Sequence, residues 1–355
     1  MWEDDSRREI GPMGKSRWLE RLLHAEKERA ERRTTENFFA YWWDGTKLRE
    51  DAVRDVSSTG VFVCTPAQWP KGKTVWMTLQ QRGALELNPD RRMTAQMKVM
   101  RPLADGLGCM FVSVARREER GWEELVEHAS TVLGVHDMEG YVKTMDAVAF
   151  LRQISGEPAM LNLMRERLSS LRLRLAIELL RTAANLVRGE EQGDQLHAPA
   201  QLVERILDAG TDGHDGEQTK RWATLLARSC TLEAADPALP AVVETMSRLT
   251  DVSCKILEGA CERARQSEIT AGPRCASRVT MTLAELMMQT DMREIPAQQS
   301  LQLLSDYGLL EQKERSLEFK PEVKIDVTPT TLGLRTYAMT SRHRGSVEEF
   351  YQPFS

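Results

Sequence analysis

Near residue 115 the apolar residues of this chain change their spacing, and that change limits what the chain can fold into. Before it they alternate at every second position, as in Thr74-Val75-Trp76-Met77-Thr78-Leu79. Beyond it they recur at three- and four-residue steps, beginning with Trp122-Glu123-Glu124-Leu125-Val126. A period of two builds strands and a period near 3.6 builds helices. The expected class is therefore α+β, with a β-rich N-terminal part and a mostly helical remainder. With 355 residues there is room for two or three domains, each with its own core.

The β-rich part is centred on Arg54-Asp55-Val56-Ser57-Ser58-Thr59-Gly60-Val61-Phe62-Val63. Asp55 and Ser57 alternate with Val56 as on a strand edge. Gly60 is expected to permit a bend, and Val61-Phe62-Val63 is β-branched and aromatic. By itself this is an ordinary hairpin corner, because Asp, Ser and Gly are common turn residues. The surroundings add to it. Upstream lie Arg29-Ala30-Glu31-Arg32-Arg33 and the aromatic strand Phe38-Phe39-Ala40-Tyr41-Trp42-Trp43, closed by Asp44-Gly45. Downstream come Pro70-Lys71-Gly72, the strand from Thr74, Ala95 to Arg101, and Gly106 to Val112. Asn88-Pro89-Asp90 marks a long turn. Alternation faces Tyr41 or Trp42, Val56, Val61, Val63, Val75, Met77, Val99 and Phe111 toward a core.

In this order the segments of residues 29–115 resemble a PilZ domain, a small bacterial β-barrel that serves as a receptor for cyclic di-GMP. The resemblance implies a six-stranded antiparallel barrel. It also implies that arginines of an Arg-x-x-x-Arg lead clasp the ligand's phosphates and stack on its guanines, while the turn's Asp and Ser bond the guanine edges. A guanidinium suits that task, being both a planar bidentate donor and a flat cation. Asp55, Ser57 and Gly60 match the turn in full. Two registers of the lead are open. Arg29 and Arg33 satisfy the spacing, whereas a lead set closer to the strand pairs Arg32 with Glu36, whose carboxylate repels phosphate at a cost of on the order of one to a few kcal/mol. The ligand-site residues implied are Arg29, Arg32, Arg33, Asp55, Ser57 and Gly60.

Beyond the barrel, Pro158 to Arg188 reads as one long amphipathic helix. Leu161, Met164, Leu168, Leu171, Leu175, Leu179, Ala183 and Leu186 lie on one face and Arg165, Arg167, Arg172, Arg174, Arg181 and Arg188 on the other. It is long enough to serve a homodimer, although such arginines more often make a solvated face. Three further helices follow to residue 265. Pro199 and Gly210 punctuate the first, Lys220 to Ala227 forms the second, and Asp236-Pro237 leads into the third. Thr282 to Leu286 starts a helix and Pro296 to Tyr307 is another. Gly308-Leu309-Leu310 follows, then strand-like Ser316 to Phe319 and Lys324 to Val327, and a Thr328…Gly333 close. That order is winged-helix-like, and residues 196–340 resemble the Abi-alpha family, named for abortive phage infection. The expected domains are a charged helical lead over 1–28, the barrel over 29–118 and a helical connector over 119–193. The Abi-alpha-like domain over 194–340 and a tail over 341–355 complete the chain.

Several functions are disfavoured. A formal net charge of −5 gives no general attraction to nucleic acid. The expected recognition helix, 296–307, has no Lys or Arg, so a DNA-binding regulator is the weakest of three readings. Gly14-Lys15-Ser16 imitates the end of a P-loop, but Glu9 stands where its first glycine belongs. No nucleophile elbow, His-Glu-x-x-His or His/Cys cluster is present, so no enzymatic activity, metal or cofactor is expected. The acidic loop Asp212 to Glu217 lacks calcium-ligand spacing. Six scattered cysteines suit a reducing cytoplasm, and no signal peptide or apolar span is expected. The leading reading is a bacterial regulator in which cyclic di-GMP controls a protein partner through the helical region. The alternative is an interaction protein that needs no ligand and acts in phage defence.

Overall fold

The computed structural model describes residues 33–34, 38–57, 59–81, 92–112, 116–155, 158–187, 196–212, 216–230, 236–266, 278–290, 294–311 and 324–341. The chain divides into two compact units, residues 1–152 and 153–355.

The first unit is built on seven antiparallel strands. They are β1 (Arg33–Thr34), β2 (Phe38–Trp43), β3 (Leu48–Val56), β4 (Gly60–Cys64), β5 (Thr74–Gln81), β6 (Arg92–Leu103) and β7 (Gly106–Phe111). Their order is β1-β3-β2-β5-β6-β7-β4, and β3 also pairs with β4, so β2 to β7 close into the expected six-stranded barrel. Closure leaves no free edge among these six strands. β3 makes this possible by its length. Its first half pairs with β2, from Leu48↔Trp43 to Ala52↔Phe39, and its second half with β4, from Ala52↔Cys64 to Val56↔Val61.

The barrel interior holds the expected Val56, Val61, Val63, Met77 and Val99, with Val75 and Phe111 packed at its margin. Of the pair left open, Trp42 points in. Its ring meets that of Trp69 edge-on at 4.5 Å, and its indole N–H donates to Asp51 at 2.8 Å. Trp69 comes from the segment before Pro70, which has no strand alternation to mark it as core.

Two helices complete this unit, α1 (Arg116–Leu133) and α2 (Met138–Ser155). They cover the outer face of β5 and β6. The Thr78 hydroxyl lies 3.0 Å from that of Thr94, and Met145 and Tyr141 of α2 lie over the pair, at 3.2 Å from Thr78 and 3.4 Å from Thr94. Trp76, Trp122 and Met145 meet beside them around a small cavity. The edge drawn at 118/119 from the change in periodicity therefore differs from the structural one, because helical spacing begins before the barrel's own packing is complete.

The second unit opens with α3 (Pro158–Asn162), which runs through a π-helical turn over Leu163–Arg167, and then α4 (Ser170–Val187). This corrects the single long helix expected over 158–188. Leu168 is extended (φ −92°, ψ 127°), and the Ser169 hydroxyl accepts from the Arg172 N–H, starting a new helix as serine does well. The break shifts the buried face. Leu171, expected inside, is 64% exposed; Leu179 and Ala183 are buried as expected, and Leu173, Ala176, Ile177, Leu180, Ala184 and Val187 join them in the core stripe.

Four helices, α5 (Ala200–Gly210), α6 (Gly216–Ser229), α7 (Leu239–Met246) and α8 (Asp251–Gln266), stand where three were expected, with Pro199, Gly210 and Asp236 at the boundaries read for them. Part of the basic face of 158–188 binds α5: Arg167 pairs with Glu204, and Arg172 donates to Asp208 at 2.7 Å. Arg221 joins α6 to α8 through Asp251 at 3.3 Å and Glu258 at 3.0 Å. The unit ends with β8 (Thr280–Thr282), α9 (Leu283–Thr290), α10 (Glu294–Asp306), β9 (Lys324–Asp326) and α11 (Thr331–Thr340). β8 pairs antiparallel with β9, bracketing the two helices. The strand expected over 316–319 lies outside the described residues, as do the turn at 88–90 and the helix expected around residues 18–28. No described helix is long and apolar enough to cross a membrane.

Candidate functional site

The site read from the sequence is a lead, a turn and the strand edges between them. Arg29, Arg32 and Glu36 lie outside the described residues; of the lead, the backbone of Arg33 and Thr34 is described. That backbone is informative. β1 pairs with the end of β3 in the register Arg33↔Val56 and Thr34↔Asp55, continuing the β3 edge where β2 leaves it. The backbone of Arg33 and Thr34 thus runs directly beside Val56 and Asp55.

Asp55 follows a β-bulge between Val53 and Asp55. The irregularity breaks the alternation, so Arg54 and Asp55 both lie outside the core, between buried Val53 and buried Val56. Asp55 Oδ2 lies 3.5 Å from Arg54 Nε, which leaves most of the carboxylate's acceptor capacity for another donor.

Ser57 serves its own turn. Its hydroxyl accepts from the backbone N–H of Gly60 at 3.2 Å and of Thr59 at 3.3 Å, and donates to the Gly60 carbonyl at 3.2 Å. The backbone closes the same turn, Ser57 N–H to Gly60 O at 2.8 Å. Gly60 is needed for a reason other than the bend expected of it. It has no positive φ, but a Cβ there would stand 2.1 Å from the Cys109 carbonyl oxygen on β7. The glycine lets β4 and β7 approach.

Residues 27–128 match the family model described as PilZ domain. This stretch of the chain is a PilZ domain. The match extends from residue 27 into α1, so it takes in the closed barrel, the Asp55 turn and the Arg33–Thr34 strand that pairs beside it. PilZ domains are regulatory domains of the cyclic di-GMP-binding kind. No curated protein matches the chain.

Two residues of this PilZ face were given no role in the sequence reading, Arg54 and Phe62. The signal was present: Arg54 immediately precedes Asp55, and Phe62 breaks the aliphatic run of β4. Other chemistry is sparse. No group of three or more His, Cys, Asp or Glu among the described residues is arranged to hold a metal ion. Burial raises the thiol of Cys109, inside the barrel, to about 11, and that of Cys254 in the second unit to about 11, which keeps both protonated and unreactive.

Proposed function

We propose that the PilZ domain is a cyclic di-GMP receptor whose ligand bridges the arginine lead and the Asp55 turn, and that the output is a protein partner engaged by the helical unit. The observation that carries this reading is the pairing of Arg33–Thr34 with Val56–Asp55, which brings the cationic lead to the acceptor for a guanine edge. Arg29, Arg32 and Arg33 supply phosphate and base contacts. Asp55 takes the guanine donors. Ser57 and Gly60 hold the turn in shape. A ligand that contacts lead and turn together favours the state in which they are joined, and its differential affinity sets how far the population moves. The β8–β9 pair bracketing α9 and α10 supports a winged-helix-like docking end for that partner. Residues 158–187 are a candidate homodimer face.

Calorimetric titration of the full chain with cyclic di-GMP tests this, beside Arg32→Ala/Arg33→Ala and Asp55→Ala. Micromolar or tighter binding by the wild type, lost in both variants, is the expected result. No heat and no thermal shift at saturating ligand sinks the receptor.

A second reading, a docking barrel that needs no ligand, is favoured by the fully engaged Ser57 hydroxyl and by Glu36 in the closer register of the lead. A phage-defence role for it rests on the Abi-alpha resemblance of residues 196–340.

A further inference from the structure

On the outer face of the barrel, Arg54 is held by one edge and one face. Its guanidinium lies 3.4 Å above the centroid of the Phe62 ring. Nε faces Asp55 Oδ2 at 3.5 Å, and Nη1 donates to Asp105 Oδ2 at 2.7 Å. Phe62 is seated in turn. It points away from the barrel core yet is 6% exposed, and its ring edge lies 2.8 Å from where a Cβ on Gly106 would stand, so the bare glycine makes room for it.

Even so, 46% of the Arg54 side chain remains exposed. Phe62 covers one π face, and among the described residues no second ring lies on the other. Two of the five in-plane N–H donors face carboxylates, and those carboxylates repel a phosphate that would take the remaining donors. A flat ring needs only the open face, which remains cationic and planar. The bulge that sets Arg54 and Asp55 on the same side therefore places a platform for the face of a base next to an acceptor for its edge.

We propose that Arg54 is a base-stacking residue of the nucleotide site, with a purine lying on the guanidinium face opposite Phe62. This rests on the cyclic di-GMP reading above and adds a residue to it from outside the lead. The three groups then form a stack, Phe62, Arg54 and purine, with Asp105 fixing the rotation of the middle layer.

The test is titration of the full chain with cyclic di-GMP for the wild type, Arg54→Ala, Arg54→Lys and Asp55→Ala, each first shown to melt like the wild type. Arg54→Ala is expected to weaken binding about tenfold or more, as the loss of a stacking platform does. Arg54→Lys keeps the charge and loses the plane. It is expected to weaken binding nearly as much while retaining the wild-type dependence of affinity on salt. Wild-type affinity in Arg54→Lys, with binding lost in Asp55→Ala, overturns the platform and leaves the receptor standing. So does wild-type affinity in Arg54→Ala. A wild type that does not bind overturns the receptor, and the platform falls with it.

Discussion

Gly60 and Ser57 show how little of the Asp-x-Ser-x-x-Gly run is free to be exchanged even before a ligand is considered. A methyl group at residue 60 would sit 2.1 Å from the Cys109 carbonyl oxygen, which belongs to the backbone of β7 and can move only if the β4–β7 seam opens. Gly60→Ala is expected to cost about 1–3 kcal/mol, as overpacking does. Urea unfolding of the full chain measures it, and an unchanged midpoint would show that the seam yields freely. Ser57→Ala removes one acceptor shared by two backbone N–H groups. A loss of about 1 kcal/mol is expected. If instead the variant is as stable as the wild type and only ligand binding falls, the hydroxyl serves the ligand and not the turn.

Among the elements, α9 has the most complete local instruction. Thr282 and Glu285 form a capping box: the Glu285 N–H donates to the Thr282 hydroxyl at 3.2 Å, and the Thr282 N–H donates to Glu285 Oε2 at 2.7 Å. Arg263 of α8 donates to the other carboxylate oxygen at 2.8 Å. The hydrogen bond from Arg263, followed by that from the Thr282 backbone, lowers the Glu285 carboxyl from 4.5 to about 2. A depressed carboxyl stabilises the fold fully above its unfolded value and loses that contribution as pH falls through the folded one. The difference in melting temperature between wild type and Glu285→Gln is therefore expected to shrink as pH drops from 4.5 toward about 2. A difference that stays constant over that range, or grows, sinks the assignment. The break at Leu168–Ser169 is the opposite case. The apolar spacing runs on through it, and one capping serine divides the segment into two helices with different buried faces.

At the scale of the whole chain, α1 and α2 belong to the unit that contains the barrel. Trp122 of α1 is 4% exposed and meets Trp76 of β5 and Thr94 of β6 around the small cavity. Trp122→Ala is expected to cost about 3–5 kcal/mol and to lower amide-exchange protection in β5 and β6, strands to which the residue does not belong. Unaltered protection in both strands would mark the helices as an appendage.

Local order was legible in the sequence because short-range chemistry sets it. Alternation gave the strands, Gly and Pro gave the turns, and Thr282 beside a helical period gave the start of α9, whereas α11 falls where only a closing Thr328…Gly333 segment was expected. The order of the motifs was enough to mark residues 29–115 as PilZ-like, and Asp55 and Ser57 were placed at their turn. What periodicity could not supply depends on residues distant in sequence. The outward face of β5 carries Thr74, Thr78 and Gln80 beside Trp76 and so reads as a solvated face, yet Thr78 is fully buried beneath Met145. Trp69 enters the core from a segment without regular spacing. The need for glycine at residue 60 comes from a carbonyl 49 residues away on β7. Arg54 becomes a candidate contact only once a bulge, Phe62 and Asp105 fix its plane. The sequence by itself determined the strands, the turns between them and which family the barrel belongs to, because hydrophobic period and turn chemistry act over a few residues. Only the tertiary structure decided which faces are buried and which side chains meet, because those depend on the closure of β3 onto β4 and on the packing it permits.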